Sequence, residues 1–319
     1  MKMKCVITGG SGFTGSYLIP ELLKRDTEIY NFDLVPFTKE LKTDKYHYIQ
    51  GDIRDFNSLM KLPHDSIDFV CHLAARQFAG EVPFRNREEW FFDVNVNGTR
   101  NVLEYMEHSN IHNLIFFSTD MTYGIPISCP VSPDAAQNPL GPYGKGKVEA
   151  EKLIRSQNNL NATIFRPRLI TGAGRLGILE KLFKLIKHNL PVPMIGDGSN
   201  RYQMVSVEDC VKAAILAIEH NFPNRAFNLG SATPPTTKEL LKGIINHANS
   251  KSLLIPCPAL PIKMTLKALD SVGLTLLYPE QFGIADQDVL LDTNETKIVL
   301  GWEPSKGDII AMCEAYDAF

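Results

Sequence analysis

The chain has 319 residues, enough for one large domain or two unequal ones around a substantial core. With 44% apolar and 22% charged residues it has the composition of an ordinary globular protein, and a formal net charge of -3 gives no electrostatic reason to expect nucleic acid or an acidic membrane surface as a partner. Its six cysteines are scattered without a CxxC pair, so neither a disulfide framework nor a zinc site is signalled.

The opening MKMKCVITGG carries two lysines, but its apolar run is too short for a signal peptide or a membrane span, and a soluble cytoplasmic protein is expected. KCVIT reads as a strand and SYLIPELLKR as a helix. Between them lies TGGSGFTGS, in which Gly9, Gly12 and Gly15 recur every third residue. A tight glycine turn lets backbone N–H groups approach a pyrophosphate, and the following helix aims its positive N-terminus at the anion. Gly15 would let helix and strand pack closely. EIYNFD is the second strand, and Asp33 at its end can accept from adenosine ribose hydroxyls. A carboxylate there would repel a 2′-phosphate, which favours NAD over NADP. YHYIQGD is the third strand; Asp52 at its end is either an adenine-edge contact or the N-cap of the helix that follows.

FNSLMKL is helical, DFVCHLAA a fourth strand, and EEWFFDVNVNGTRNVLEYMEHS one long helix. Arg76 and Gln77 follow the fourth strand as candidate substrate contacts. NLIFFST is the fifth strand, and STDMTYG follows directly with two hydroxyls, a carboxylate and a phenol. After a proline-rich turn, GPYGKGKVEAEKLI opens a helix with Tyr143 and Lys147 four residues apart, on one face. An ammonium about 4 Å from a phenol, at an effective dielectric of about 20, is worth about 4 kcal/mol, or about three pKa units. That would bring the phenol toward neutrality, as a general base requires. Gly144 and Gly146 are poor helix residues and suggest close packing there, such as that of a nicotinamide ribose. ATIFRP is a sixth strand.

Beyond residue 170 the pattern loosens. RLGILEKLFKLIKH and EDCVKAAILAIEH are helical, PVPMIGDGSNRYQMVSV is strand and turn, and RAFNLGS is one more strand. Lys181, Lys184 and Lys187 have the spacing of a solvated helix face. The proline-rich IPCPALPIK reads as an irregular cap. Alternating strands and helices imply an α/β fold with a doubly wound, parallel, Rossmann-type sheet. The expected division is a cofactor domain over 1–172, with returns near 203–219 and 225–230, and a smaller C-terminal α/β substrate lobe over 173–202 and 231–319.

TGGSGFTG, Asp33, Asp52-Ile53, HLAA at 72–75, Asn95-Val96-Asn97-Gly98-Thr99, STDMTYG, YGKGK, Arg166-Pro167 and the late Leu300-Gly301-Trp302-x-Pro304 together resemble the extended short-chain dehydrogenase/reductase family, in its nucleotide-sugar epimerase/dehydratase branch. The resemblance implies Tyr143 as catalytic acid/base, Lys147 as its partner and ribose ligand, and Thr119 as the hydroxyl that holds the substrate oxygen. It implies NAD as cofactor, with Phe13, Thr14, Ile53, Leu73, Ala74, Ala75, Asn95, Ser118 and Pro167 beside it. It also implies a homodimer through helices around 88–108 and 143–157.

Two departures bear on the reaction. Dehydratases of this branch carry an Asp-Glu pair after the threonine; here Asp120 keeps the acid, but Met121 cannot take a proton. Asp120 is a candidate proton donor, or the start of an Asx-turn. The branch also has a diphosphate arginine where this chain has Tyr202, with Arg201 one residue earlier and on the opposite face of a strand. Arg201 remains a candidate for the diphosphate if the backbone is irregular; beside Arg76 and Gln77, Arg168 and Arg175 are weaker candidate substrate contacts, since arginines are by default on the surface. The leading expectation is a nucleotide-sugar 4-epimerase with a transient 4-keto intermediate. The alternatives are an NAD(P)-dependent dehydrogenase or 4-ketoreductase or a 4,6-dehydratase on a nucleotide sugar or, if Arg201 does not reach a diphosphate, on another secondary alcohol, and a redox-sensing binding protein without turnover.

Overall fold

The computed structural model describes residues 3–78, 82–175 and 177–319. The first half runs β1 (Lys4–Thr8), α1 (Gly15–Lys24), β2 (Glu28–Asp33), β3 (Tyr46–Gln50), α2 (Phe56–Leu59), β4 (Phe69–His72), α3 (Arg87–Phe92), α4 (Thr99–His108), β5 (Asn113–Phe117), α5 (Pro142–Arg155) and β6 (Asn161–Pro167). The second half runs β7 (Leu169–Thr171), α6 (Ile178–Lys187), β8 (Val192–Ile195), β9 (Met204–Ser206), α7 (Val207–Glu219), β10 (Arg225–Leu229), α8 (Thr237–His247), β11 (Leu254–Cys257), α9 (Ala259–Ser271), α10 (Pro279–Phe282), α11 (Asn294–Leu300) and α12 (Asp308–Asp317).

Seven parallel strands form the main sheet in the order β10-β6-β5-β4-β1-β2-β3. The order reverses between β1 and β4, and the crevice of a doubly wound sheet opens at such a switch point, beyond the carboxyl ends of the strands. Both faces of the sheet are covered, so β4 and most of β1 and β5 are buried along their length. One apolar layer joins β1 side chains to α1 and α7 and takes in Leu300 and Trp302, whose indole Nε1 donates to the Asp209 carbonyl at 2.9 Å. The opposite layer packs α2, α4 and α5 on the sheet. A separate core unites Phe183 and Ile186 of α6, Val192 and Met194 of β8, Leu240 and Ile244 of α8, and Met312 of α12. Among the described residues no helix is long and apolar enough to cross a membrane.

Two segments differ from the expectation. The stretch 88–109 is interrupted by a π-helical turn over Asp93–Gly98, which separates α3 from α4 and turns buried Asn95 inward. IPCPALPIK is not irregular: it forms β11, paired in parallel with β8, and the start of α9. Proline hides that helix in the sequence. Pro258 precedes the first turn and Pro261 lies within it, where a missing N–H costs no helical hydrogen bond.

Candidate active site

A cleft of ≈ 810 Å³ lies along the carboxyl ends of the sheet strands. Its first wall is the turn after β1, where Gly9, Gly12, Phe13, Thr14 and Gly15 all line it. Gly9 has φ +72°, and a Cβ on it would lie 2.5 Å from the Ala74 nitrogen, so only glycine lets this turn pass the end of β4. Asp33, at the end of β2, accepts from the Ser11 N–H at 3.0 Å and the Val35 N–H at 3.2 Å. Those two bonds fix the carboxylate at the cleft and leave lone pairs for a ribose diol. A bare glycine turn at a helix start beside a held carboxylate fits the adenosine diphosphate half of NAD. Asp52 and Ile53 line the same end. Arg54 engages the Asp52 carboxylate through its N–H, Nε and Nη2 and holds its pKa below the usual range. The N-cap of α2 is Asp55, not Asp52.

Leu73, Ala74, Ala75, Arg76 and Gln77 carry the lining beyond β4, and Pro167 closes it at the end of β6. Asn95 stands behind this wall instead of lining it: its side chain accepts from the Arg76 N–H at 2.8 Å and donates to the Arg76 carbonyl at 3.1 Å. The Arg76 guanidinium lies 4.6 Å from the Trp90 ring centre and donates to the Trp90 carbonyl. Ser118 lines the cleft while its hydroxyl donates to buried Glu151, which is ion-paired with Arg166. Tyr123, on the same turn, is buried packing: its hydroxyl donates to Asn228 at 2.7 Å and accepts from Arg166 at 2.8 Å.

Thr119, Tyr143 and Lys147 converge at the other end of the cleft. The expected depression of the phenol by Lys147 is not found. Lys147 Nζ donates to the Phe117 carbonyl at 2.9 Å and rests 4.6 Å from the Phe116 ring. Burial among Phe78 and Phe91 pushes the Tyr143 phenol well above its ordinary value; Arg175 and a hydrogen bond to Thr119 pull it down, while Asp120 and Glu280 push it up. Burial also lowers Lys147 to about 7, against Glu151, and lowers His72 to about 3, helped by Lys147. The protein's own groups thus favour the neutral form of the phenol. Gly144 serves the chain itself: a Cβ there would lie 2.6 Å from the Met121 carbonyl oxygen. Gly146 meets only ordinary contacts, at 3.6 Å or more.

Asp120 starts a short 3-10 turn, but the side chain that bonds the turn is Thr119, whose hydroxyl accepts from the Met121 N–H at 3.3 Å. Thr119 donates to Asp120 at 3.3 Å, and the other Asp120 oxygen is ion-paired with Arg168. Both Asp120 oxygens therefore have partners within the protein. Tyr202 reaches the cleft and lies 5.1 Å from the Arg168 guanidinium. Arg201 does not line the cleft. Both residues make β-bridges, so their side chains leave on opposite sides, and Arg201 pairs with Asp288 through its N–H at 2.6 Å and its guanidinium at 3.2 Å.

Sequence spacing gave no sign of the segment 277–285, which adds Leu277, Gln281, Ile284 and Ala285 to the lining. Arg175 also lines the cleft, 5.5 Å from the Phe13 ring and hydrogen-bonded to Gln77, with no carboxylate partner among the described residues.

The sequence profile of the NAD dependent epimerase/dehydratase family matches residues 5–230. A UDP-glucose 4-epimerase of Lactobacillus helveticus is 26% identical over 333 residues, covering 96% of this chain and 94% of its own. A dTDP-D-glucose 4,6-dehydratase of Mus musculus is 26% identical over 268 residues, covering 78% and 75%. Among solved structures, the UDP-glucuronic acid 4-epimerase of Bacillus cereus in complex with NAD aligns with a TM-score of 0.79 at 22% identity, over 99% of this chain and 98% of that one. With its glycine turn, held Asp33 and convergent Thr119, Tyr143 and Lys147, the chain belongs to the NAD-dependent epimerase/dehydratase family, and NAD is its cofactor.

Proposed function

We propose that the protein is a cytoplasmic nucleotide-sugar 4-epimerase that keeps its NAD through the cycle. The observation that carries this reading is Met121. It lines the cleft beside Asp120, the single carboxylate of the described lining near Tyr143, and Asp120 is already paired with Arg168. Elimination of water needs a base for a carbon-bound proton besides the group that handles the hydroxyl proton. A thioether cannot be that base.

NAD, when bound, supplies the hydride acceptor and a cationic ring whose charge favours the phenolate. Tyr143 then takes the proton of the sugar hydroxyl. Thr119 gives up its long bond to Asp120 and donates to the same oxygen as it becomes a ketone. Lys147, held by the Phe117 carbonyl at the end of β5, would hold the cofactor ribose. Arg175 is the proposed diphosphate cation, in place of Arg201, and the segments 173–202 and 231–319 form the proposed substrate lobe. Pairing of two chains through helices around 88–108 and 143–157 belongs to the same reading, and native mass measures it.

The test is to incubate the purified protein with UDP-, GDP-, dTDP- and CDP-sugars and no added cofactor. Interconversion of a sugar pair with NAD retained supports the reading. Steady NADH formation or consumption would replace it with an exchangeable-cofactor dehydrogenase or reductase.

A further inference from the structure

The start of α5 has no cap of its own. Gly141 stands at the cap position without a side chain and Pro142 has no N–H, so the first orphan donors are those of Tyr143 and Gly144. One carboxylate from far along the chain takes both. Glu280 Oε1 accepts from the Tyr143 N–H at 3.0 Å, and Oε2 accepts from the Gly144 N–H at 3.1 Å. Glu280 belongs to α10 and is 3% exposed. Gly141 is extended, with φ -158°, so its conformation does not demand glycine. Space does: a Cβ there would lie 2.4 Å from Glu280 Cγ and Oε1.

The segment that carries Glu280 also faces the cleft through Gln281, Ile284 and Ala285. It reaches Tyr143 by a second route, since Tyr278 stacks on Phe78 at 4.4 Å and Phe78 meets the Tyr143 ring edge-on at 5.5 Å. A helix that needed only a cap could take a Ser or Asp at position 141. Here the cap is supplied by a segment that faces the cleft.

We propose that Glu280 is a positioning residue for proton transfer, which ties the cleft-facing segment 277–285 to the first turn of α5 so that a sugar seated against Gln281, Ile284 and Ala285 sets the place of the Tyr143 phenol. This rests on the reading that Tyr143 handles the proton and that the sugar occupies this end of the cleft. Burial raises the Glu280 carboxyl to about 7, against its two N–H bonds and Lys145; the Tyr143 phenol is the other titratable group that feels it. A protonated carboxyl accepts less well, so the tie loosens on the acid side of neutrality.

The experiment compares Glu280→Gln, Glu280→Ala and a double variant that combines Gly141→Asp with Glu280→Ala, in which the carboxylate introduced at position 141 can cap locally. Glu280→Gln is expected to lower kcat about tenfold or more, with KM nearly unchanged and the acid limb near neutral pH removed, because a small misplacement of a reacting group costs up to about a hundredfold. The double variant is expected to recover the Tm lost in Glu280→Ala without recovering kcat. Recovery of kcat together with Tm would reduce Glu280 to a cap, and an unchanged kcat in Glu280→Gln would overturn the proposal. Amide exchange at Tyr143 and Gly144 needs no substrate: both N–H groups are expected to exchange faster in Glu280→Ala than in the wild type. Equal protection there sinks the tie whatever the substrate, whereas faster exchange in a protein that turns over no nucleotide sugar would fault only the functional reading.

Discussion

Arg168 and Asp120 form an ion pair inside the cleft, with side chains 4% and 5% exposed. The pair joins the chain just beyond β6 to the turn after β5, next to Thr119. Removing one partner leaves the other charge buried and uncompensated. Asp120→Ala is therefore expected to cost about 3–5 kcal/mol of stability. Replacing both residues with leucine should cost clearly less than the two single losses together, which a denaturant double-mutant cycle measures. Additive losses would mean that the two charges do not depend on each other.

Tyr143→Phe removes one oxygen from a ring packed between Phe78 and Phe91. The fold and NAD affinity should be retained, while turnover falls by about 10²–10⁴, the range of general acid–base catalysis. Residual activity near wild type would move proton transfer to another group.

The two glycines of the YGKGK stretch should respond oppositely to alanine. At 144 a Cβ would meet the Met121 carbonyl oxygen at 2.6 Å, so helix and turn must separate. At 146 the nearest atoms are 3.6 Å or more away, and alanine should add up to about 1 kcal/mol through helix propensity. Thermal unfolding of the two variants separates these outcomes; equal shifts would contradict the contact at 144.

Burial lowers Lys147 to about 7, below its ordinary 10.5. Between those values the unfolded chain binds the extra proton, so stability rises with pH across that window; below about 7 both states carry the charge and the contribution is flat. Lys147→Met should remove this rise. A stability profile with the same slope in both proteins would place the titration elsewhere.

The sheet was legible because most of its strands are short apolar runs, and the turns after β1, β3 and β5 carry glycine or a carboxylate. Gly9, Asp33, Tyr143 and Lys147 follow from spacing of that kind, and all four line one cleft. Protonation was not legible. Four-residue spacing puts Lys147 on the face of Tyr143, but burial governs both groups, and the lysine is committed to the Phe117 carbonyl. Arg201 and Tyr202 show what strand alternation decides: adjacent residues face Asp288 and the cleft. The Glu280 cap joins residues 137 apart in the chain, and no local pattern marks such a pairing.

The proposed 4-epimerase activity requires that the 4-keto intermediate be formed and reduced again without elimination. Its most direct test is mass spectrometry of the product from a nucleotide sugar turned over in D2O by the protein as purified, with no NAD added. Hydride leaving and returning at one carbon predicts a product of the substrate's mass with no carbon-bound deuterium. A product lighter by one water, with deuterium on carbon, would contradict the argument from Met121.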